Sequence, residues 1–292
     1  MLYTIQNEYL TVRIHEKGAT LWSIKDSDNT EYLWQGDEKY WGDRAPNLFP
    51  YIARMTKGQY MLNGITYHMD IHGFVKDMIF KVEQISDSHI VFSLNYTEET
   101  YAQYPYKFCF SVIYKLEGSK INIIYYVRND DNKTMYFGVG GHPGFNVPFE
   151  KDAAFEDYYL EFDANRNVKR VCFSEDCFVT GQLSEFPLEE GVKLPLTHNL
   201  FDDDAIVLTD MAQSVTLASK KSNKGICVAY PDMKYLGIWH MPRTDAPYVC
   251  IEPWSSLPSR KGIVEELETQ PSLISLESGC ELENQICIKM IR

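Results

Sequence analysis

A large antiparallel β-sandwich is the fold predicted by this sequence, and three observations lead to it. Apolar and polar residues alternate through many short segments parted by turn-forming residues. Strand-favouring aromatics are abundant, with 20 Tyr and 15 Phe in 292 residues. No stretch sustains the period of a long helix. Short antiparallel strands of this kind pack as two curved sheets, and a ligand can lie along the concave face of one.

Residues 9–14 alternate and residues 20–24 follow a glycine, giving two strands near the start. Residues 58–62 and 65–68 flank Asn63-Gly64, a pair that accepts the positive φ values of a tight hairpin turn. Residues 80–85 and 90–96 flank a polar Ser86-Asp87-Ser88 turn, and residues 108–116 and 121–127 flank Glu117-Gly118-Ser119. Residues 135–139 run strand-like into two glycines. Further strands are expected over 158–162, 168–173, 205–208, 215–218, 226–230, 236–239, 248–251 and 285–291. Helical character is confined to 98–103 and 262–268. Residues 174–199 carry Gly, Pro and acidic residues and read as a long surface excursion, because strands resume on both sides. No repeat, linker or low-complexity segment interrupts the pattern. Residues 1–292 are therefore expected to form a single domain, a length that all-β folds can reach.

Composition narrows the partners. A formal charge of −13 repels phosphate backbones and anionic lipids, so neither nucleic acid nor membrane is an expected partner. The seven cysteines are scattered without a Cys-x-x-Cys pair, which fits reduced thiols in a cytoplasm better than a disulfide framework. Cys109, Cys227 and Cys250 lie in apolar runs and are expected to fill core space. The first residues lack a basic segment followed by an apolar one, and no apolar run is long enough to span a bilayer.

The chemistry-bearing residues are few. Phe137-Gly138-Val139-Gly140-Gly141-His142-Pro143-Gly144-Phe145-Asn146 holds one imidazole at a sharply shaped strand end. Arg54 closes Asn47-Leu48-Phe49-Pro50-Tyr51-Ile52-Ala53-Arg54, and His72 lies in Asp70-Ile71-His72-Gly73-Phe74. Glu252 sits in the apolar run Cys250-Ile251-Glu252-Pro253-Trp254. Strand alternation puts Cys250, Glu252 and Trp254 on one face and Val249, Ile251 and Pro253 on the other. A carboxylate between Cys and Trp is costly unless it is paired, and it tends toward a raised pKa that suits a general base. The structural alternative is an ion pair between Glu252 and an arginine.

Taken together, Leu48-Phe49-Pro50 through Arg54, His72-Gly73-Phe74, Gly141-His142-Pro143-Gly144-Phe145-Asn146 and Glu252-Pro253-Trp254 resemble the aldose 1-epimerase (galactose mutarotase-like) family, most closely its LacX-like branch. The resemblance implies a supersandwich that interconverts the α and β anomers of an aldose, an aldohexose above all, with no metal or organic cofactor. It implies Glu252 as general base on the C1 hydroxyl and His142 as general acid on the ring oxygen. His72 would bind near the ring oxygen, and Arg54 would bind hydroxyls or hold Glu252. An arginine beside Glu252 would keep it ionised, and a histidine near its ordinary pKa could recycle a proton at neutral pH. Trp254, Phe74 and Phe145 could pack on the apolar face of the sugar or simply fill core.

One segment departs from the family pattern. Where an Asp-His-Asn segment is expected, this chain has Leu200-Phe201-Asp202-Asp203-Asp204-Ala205. Asp204 is the best substitute as a hydroxyl ligand and Asp203 the next, against the alternative of a solvated acidic turn. The change bears on which sugar fits, including a phosphorylated one, for which Lys76, Arg243 and Arg260 are the candidate cations. His240, at a strand end, could line the cleft. Two other readings follow from the same residues: a non-catalytic carbohydrate-binding protein on this scaffold, and a metal enzyme built on His72, His142 and Glu252.

Overall fold

Two large sheets dominate the structure, a computed structural model that describes residues 1–292. One has nine strands in the order Lys193–Pro195, Tyr158–Phe162, Ser214–Ser219, Gly225–Ala229, Glu281–Ile291, Lys120–Asn129, Phe108–Glu117, His89–Asn95 and Lys81–Ser86. The other has eight. Its path runs Val179–Glu185, Lys169–Phe173, Ile206–Thr209, Tyr235–Trp239, Tyr248–Trp254, Gly140–Gly141 and Asn47–Leu48, and Gly144–Asn146 also pairs with Tyr248–Trp254. Every pairing within these two sheets is antiparallel.

Alternation explains how the sheets meet. On Lys120–Asn129, Ile121, Ile123, Tyr125 and Val127 are buried; on Tyr248–Trp254, Val249 and Ile251 point the same way. One apolar cluster of 64 buried residues takes side chains from both sheets. Each fully buried Val, Leu, Ile or Phe there contributes about 1.5–3 kcal/mol of transfer free energy. Cys250 and Trp254 fall outside that cluster, in two small ones on the opposite face. The face assignment made from alternation therefore holds, and it leaves Glu252 on the side away from the main core.

Local signals worked where turn chemistry was explicit. Gln59–Leu62 and Ile65–His68 pair through Asn63 and Gly64, with φ of 51° and 74°, as a type I′ turn requires. Glu98–Gln103 is the expected helix, capped by Thr97, whose side chain accepts from the Thr100 N–H. Residues 262–268 differ from expectation. They hold the short strand Glu265–Glu266, paired parallel with Gln59–Leu62, and lead into a single turn at Leu267–Thr269. The excursion over 174–199 contains two edge strands, Val179–Glu185 and Lys193–Pro195. Both lie at sheet edges, where Val179–Glu185 is exposed beyond its first residue and Lys193–Pro195 is too short to show a period. Among the cysteines expected in the core, Cys250 is buried while Cys109 and Cys227 are half-buried.

Asn47 fixes the short strands beside the site. Its backbone pairs with Gly141, its Nδ2 donates to Gly18 O and Ala19 O at 2.9 Å each, and its Oδ1 accepts the Tyr125 hydroxyl at 2.9 Å. A fully satisfied buried amide of this kind pins one arrangement of the chain.

Candidate active site

The Tyr248–Trp254 strand carries the centre of the site. Gly140 pairs with Trp254, and Gly144 pairs with Cys250. Both pairings keep the same antiparallel offset, so His142, between them, lies directly opposite Glu252. The glycines and Pro143 interrupt the ladder at His142 without changing its register, and the His142 N–H donates to Pro46 O at 3.0 Å. On the other side Glu252 faces Gly237, which in turn faces Val207. One row across the sheet thus reads Val207, Gly237, Glu252, His142. A Cβ at Gly237 would stand 3.0 Å from Trp254 Cζ2 and 3.2 Å from Glu252 Cβ, so the absent side chain leaves room for both.

This row floors a cleft of about 1140 Å³ on the face opposite the main core. His142 Nε2 lies 3.2 Å from Glu252 Oε2. Both are buried, with 8% and 1% exposure. Burial pushes the Glu252 carboxyl well above its ordinary range, and the nearby Asp204 charge pushes the same way; the Trp254 indole opposes them. That indole N–H is close without being aligned, since Trp254 Nε1 is buried and unpaired. Burial also lowers His142, to about 4, against smaller upward pulls from the backbone and Asp204. The raised Glu252 value follows the reading of a carboxylate between Cys and Trp, whereas a base kept ionised by an arginine and an imidazole near its ordinary pKa were expected with the family resemblance. The burial of both groups overrides that expectation. Low dielectric disfavours each charged form, so the pair rests with one proton shared between carboxyl and imidazole.

Aromatic and imidazole rings surround His142. Trp41 lies against it at 4.8 Å between centroids and 32° between planes, with His72 at 5.5 Å and Trp239 at 5.8 Å, both edge-on. His142 Nδ1 has no partner. His72 is held at φ 68°, and its Nδ1 accepts the Ala53 N–H at 3.2 Å. That bond leaves the proton of the neutral ring on Nε2, the free nitrogen. Burial, then the charges of His142, Lys76 and Arg54, hold His72 well below its ordinary pKa. Gly73, at φ 73°, allows the turn after it, because a Cβ there would collide with Phe49 O.

Of the residues singled out in the sequence, Arg54, His72, His142, Asp204, Glu252 and Trp254 all line this cleft. Asp204 Oδ2 accepts the Cys177 thiol at 2.9 Å and Oδ1 accepts the Ala205 N–H at 2.9 Å. Arg54 is exposed on the wall, and the ion-pair contact of Glu252 is with His142 instead. Phe74 is a correction. It is 7% exposed and packs edge-on to Phe49 and beside Tyr104 and Phe108, as core rather than sugar platform, because the turn at His72-Gly73 sends it inward. Phe145 is likewise buried in the main core. His240 turns away from the cleft, with Nδ1 2.7 Å from Met241 O and Nε2 3.2 Å from His198 Nδ1. Arg260 pairs with Glu265 at 2.7 Å and is not part of the lining.

Sequence reasoning missed Trp41 and Trp239 as site residues. Trp41 lies in a loop, held where Trp34 Nε1 donates to Trp41 O at 2.9 Å, and no local pattern announces that position. Trp239 was legible in principle, since it shares a strand face with Gly237 and stands opposite Cys250.

Comparison with known proteins identifies the family of the chain. The family model described as Aldose 1-epimerase matches residues 1–270. The proteins described as LacX, plasmid and LacX, chromosomal, from Lactococcus lactis subsp. lactis, are each 35% identical over 284 residues, covering 94% of either chain. A galactose mutarotase-like protein from Lactobacillus casei superposes with a TM-score of 0.94 at 34% identity, over 99% of this chain and 100% of the other. A galactose mutarotase related enzyme from Lactobacillus acidophilus gives 0.94 at 33% identity, over 99% and 97%. A galactose mutarotase-like protein from Clostridium acetobutylicum, at 17% identity over 99% of this chain and 94% of the other, shares the fold with a TM-score of 0.76. The chain belongs to the aldose 1-epimerase family and is an isomerase of the mutarotase-like, all-β sandwich type.

Proposed function

We propose that this protein interconverts the α and β anomers of a monosaccharide, an aldohexose first among them, with Glu252 and His142 as base and acid. The observation that carries the proposal is their placement: opposite each other in register, 3.2 Å apart and buried on the cleft floor. The reaction needs one proton on the pair, and burial leaves it one. On sugar binding that proton passes from Glu252 to His142 Nε2. The Glu252 carboxylate takes the C1 hydroxyl proton while His142 gives its proton to the ring oxygen. The C1–O5 bond breaks and C1 becomes a carbonyl. This step turns a buried ion pair back into two neutral groups, the forms that burial favours, so the site supports ring opening. Rotation about C1–C2 and the reverse proton transfers close the ring on the other face.

His72 Nε2–H, Arg54 and Asp204 are assigned to sugar hydroxyls, and Trp254, Trp41 and Trp239 to its apolar face. A second reading, a sugar phosphate as substrate, has one specific observation in its favour. Arg54, Arg170 and Arg243 line the cleft, whereas the arginines that form ion pairs are Arg128 and Arg260; Lys76 also lines the cleft but pairs with Asp77 at 2.7 Å. Anomeric exchange followed by NMR with glucose, galactose, xylose and glucose 6-phosphate tests both. Acceleration for one sugar supports the proposal and names its class. Resonances that broaden without faster exchange, across the panel, would instead favour a carbohydrate-binding protein.

A further inference from the structure

His142, Glu252 and Cys250 bring three different ligand atoms together at the cleft floor. An imidazole nitrogen, a carboxylate oxygen and a thiol sulfur lie within 4.8 Å of one another, all on buried side chains. The register explains the cluster: Cys250 and Glu252 are alternate residues on one strand face, and His142 sits opposite Glu252. Cys250 is a free cysteine, fully buried beneath Trp34 and Tyr248 with Trp41 and Trp239 alongside. The proton chemistry assigned above makes no use of it. We propose that these three residues form a site for a single thiophilic divalent cation, of the Zn²⁺ or Cd²⁺ kind, and that its occupation shuts the enzyme off.

The ligand chemistry selects the ion. A thiolate and an imidazole favour zinc-like ions over Mg²⁺ and Ca²⁺, which want a shell of oxygens. Three protein ligands leave a fourth position toward the cleft, filled by water. Charge balance suits the burial. One thiolate, one carboxylate and a neutral imidazole cancel a divalent ion, so no net charge is placed in the low-dielectric floor. The ion would take the same carboxylate and imidazole lone pairs that move protons between C1 oxygen and ring oxygen. Occupied, the pair can do neither transfer. The binding site stands on geometry alone, whereas the loss of turnover rests on the anomer-exchange reading.

Co²⁺ titration of chelator-treated full-length protein tests the site without reference to turnover. The expected result is one ion per chain, with the visible bands of a tetrahedral site and a near-ultraviolet sulfur-to-cobalt charge-transfer band, both displaced by Zn²⁺. Cys250→Ala and Cys250→Val should fold, lose the charge-transfer band and weaken Zn²⁺ binding by roughly 10²-fold, at the upper end of what even an outer-shell change costs. An absent charge-transfer band, or equal Zn²⁺ affinity in both variants, would overturn the site. For turnover, Zn²⁺ should suppress anomeric exchange reversibly by chelator, while Cys250→Ala keeps its exchange rate and resists. Zn²⁺ that binds through Cys250 yet leaves exchange unchanged, or speeds it, overturns the inhibitory role. If metal-free protein exchanges no sugar, the cobalt spectrum still decides the site, and that failure falls on the reading of function alone.

Discussion

The floor and the wall of the cleft are built in opposite ways. The floor is sheet: Glu252 and His142 face each other in register, buried and flanked by strands that cannot slip without moving their whole hydrophobic face out of the core. The wall is loop: Arg54 is exposed, and Cys177 and Asp204 both hold positive φ, 64° and 74°, at its turns. A sheet fixes two reacting groups to a few tenths of an ångström, whereas loops can vary without disturbing the core. Under the proposed function, chemistry belongs to the floor and sugar choice to the wall.

The largest effects are expected on the floor. Glu252→Gln and His142→Ala should each lower kcat by roughly 10²–10⁴-fold, as loss of a general base or acid does, with the fold intact by circular dichroism. Comparable kcat for both variants and wild type in NMR anomeric exchange would break the division between floor and wall. The two losses should not add, because each variant disables the same proton circuit.

The floor and wall were also unequally legible in the sequence. Alternation over 248–254 put Glu252 and Trp254 on one face before any coordinates, because strand period is a local property. The opposition of His142 to Glu252 was not readable. It depends on Gly140–Gly141 and Gly144–Asn146, strands too short to show a period. Trp41 was invisible for the same reason, being placed by tertiary contact from a loop. Which way Phe74 points was not readable either, because the positive-φ turn at His72 and Gly73 that sends it into the core is set by tertiary contact. The raised pKa of Glu252 was legible from its Cys and Trp neighbours, whereas the lowered value of His142 was not, because its burial depends on the whole sheet and not on neighbours in sequence.

Next in size is the support beneath the floor. Asn47→Ala removes four hydrogen bonds and strands the Gly18 carbonyl and the Tyr125 hydroxyl in the interior, while the Ala19 carbonyl keeps the Tyr114 hydroxyl. It should cost about 2–4 kcal/mol in urea unfolding, from lost bonds and unsatisfied buried groups. A loss below about 0.5 kcal/mol, the level of an ordinary surface change, would show that Asn47 does not hold the Gly140–Gly141 strand.

The shared proton gives the floor its own pH signature. The folded pair holds one proton from about pH 4, where His142 gains a second, up to the raised value of Glu252. The unfolded pair holds one proton only between the ordinary Glu and His values of 4.5 and 6.5. The pair's contribution to stability is therefore flat between 4.5 and 6.5. Above 6.5 the folded state binds more protons, so stability falls as pH rises. Below 4.5 the unfolded state binds more, so stability falls as pH drops. In Glu252→Gln the alkaline decline should weaken, read as a flatter thermal midpoint between pH 7 and 9. An unchanged profile would place the proton elsewhere.

The smallest effects belong to the wall, and Asp204 is the sharpest place to look. Its carboxylate is already aimed by the Cys177 thiol and the Ala205 N–H, so it can meet a hydroxyl without first being ordered. Asp204→Asn should raise KM by roughly tenfold, the worth of a charged hydrogen bond, with a smaller change in kcat. It has a second, electrostatic consequence. The Asp204 charge raises Glu252 and His142 together. Its removal should shift both limbs of the kcat/KM profile toward lower pH, where Asp203→Asn leaves them in place. A shift in KM without a shift in the limbs would make Asp204 a hydroxyl ligand only. A change of kcat as deep as that of Glu252→Gln would move Asp204 from the wall to the floor, and the comparison would have to be redrawn around it.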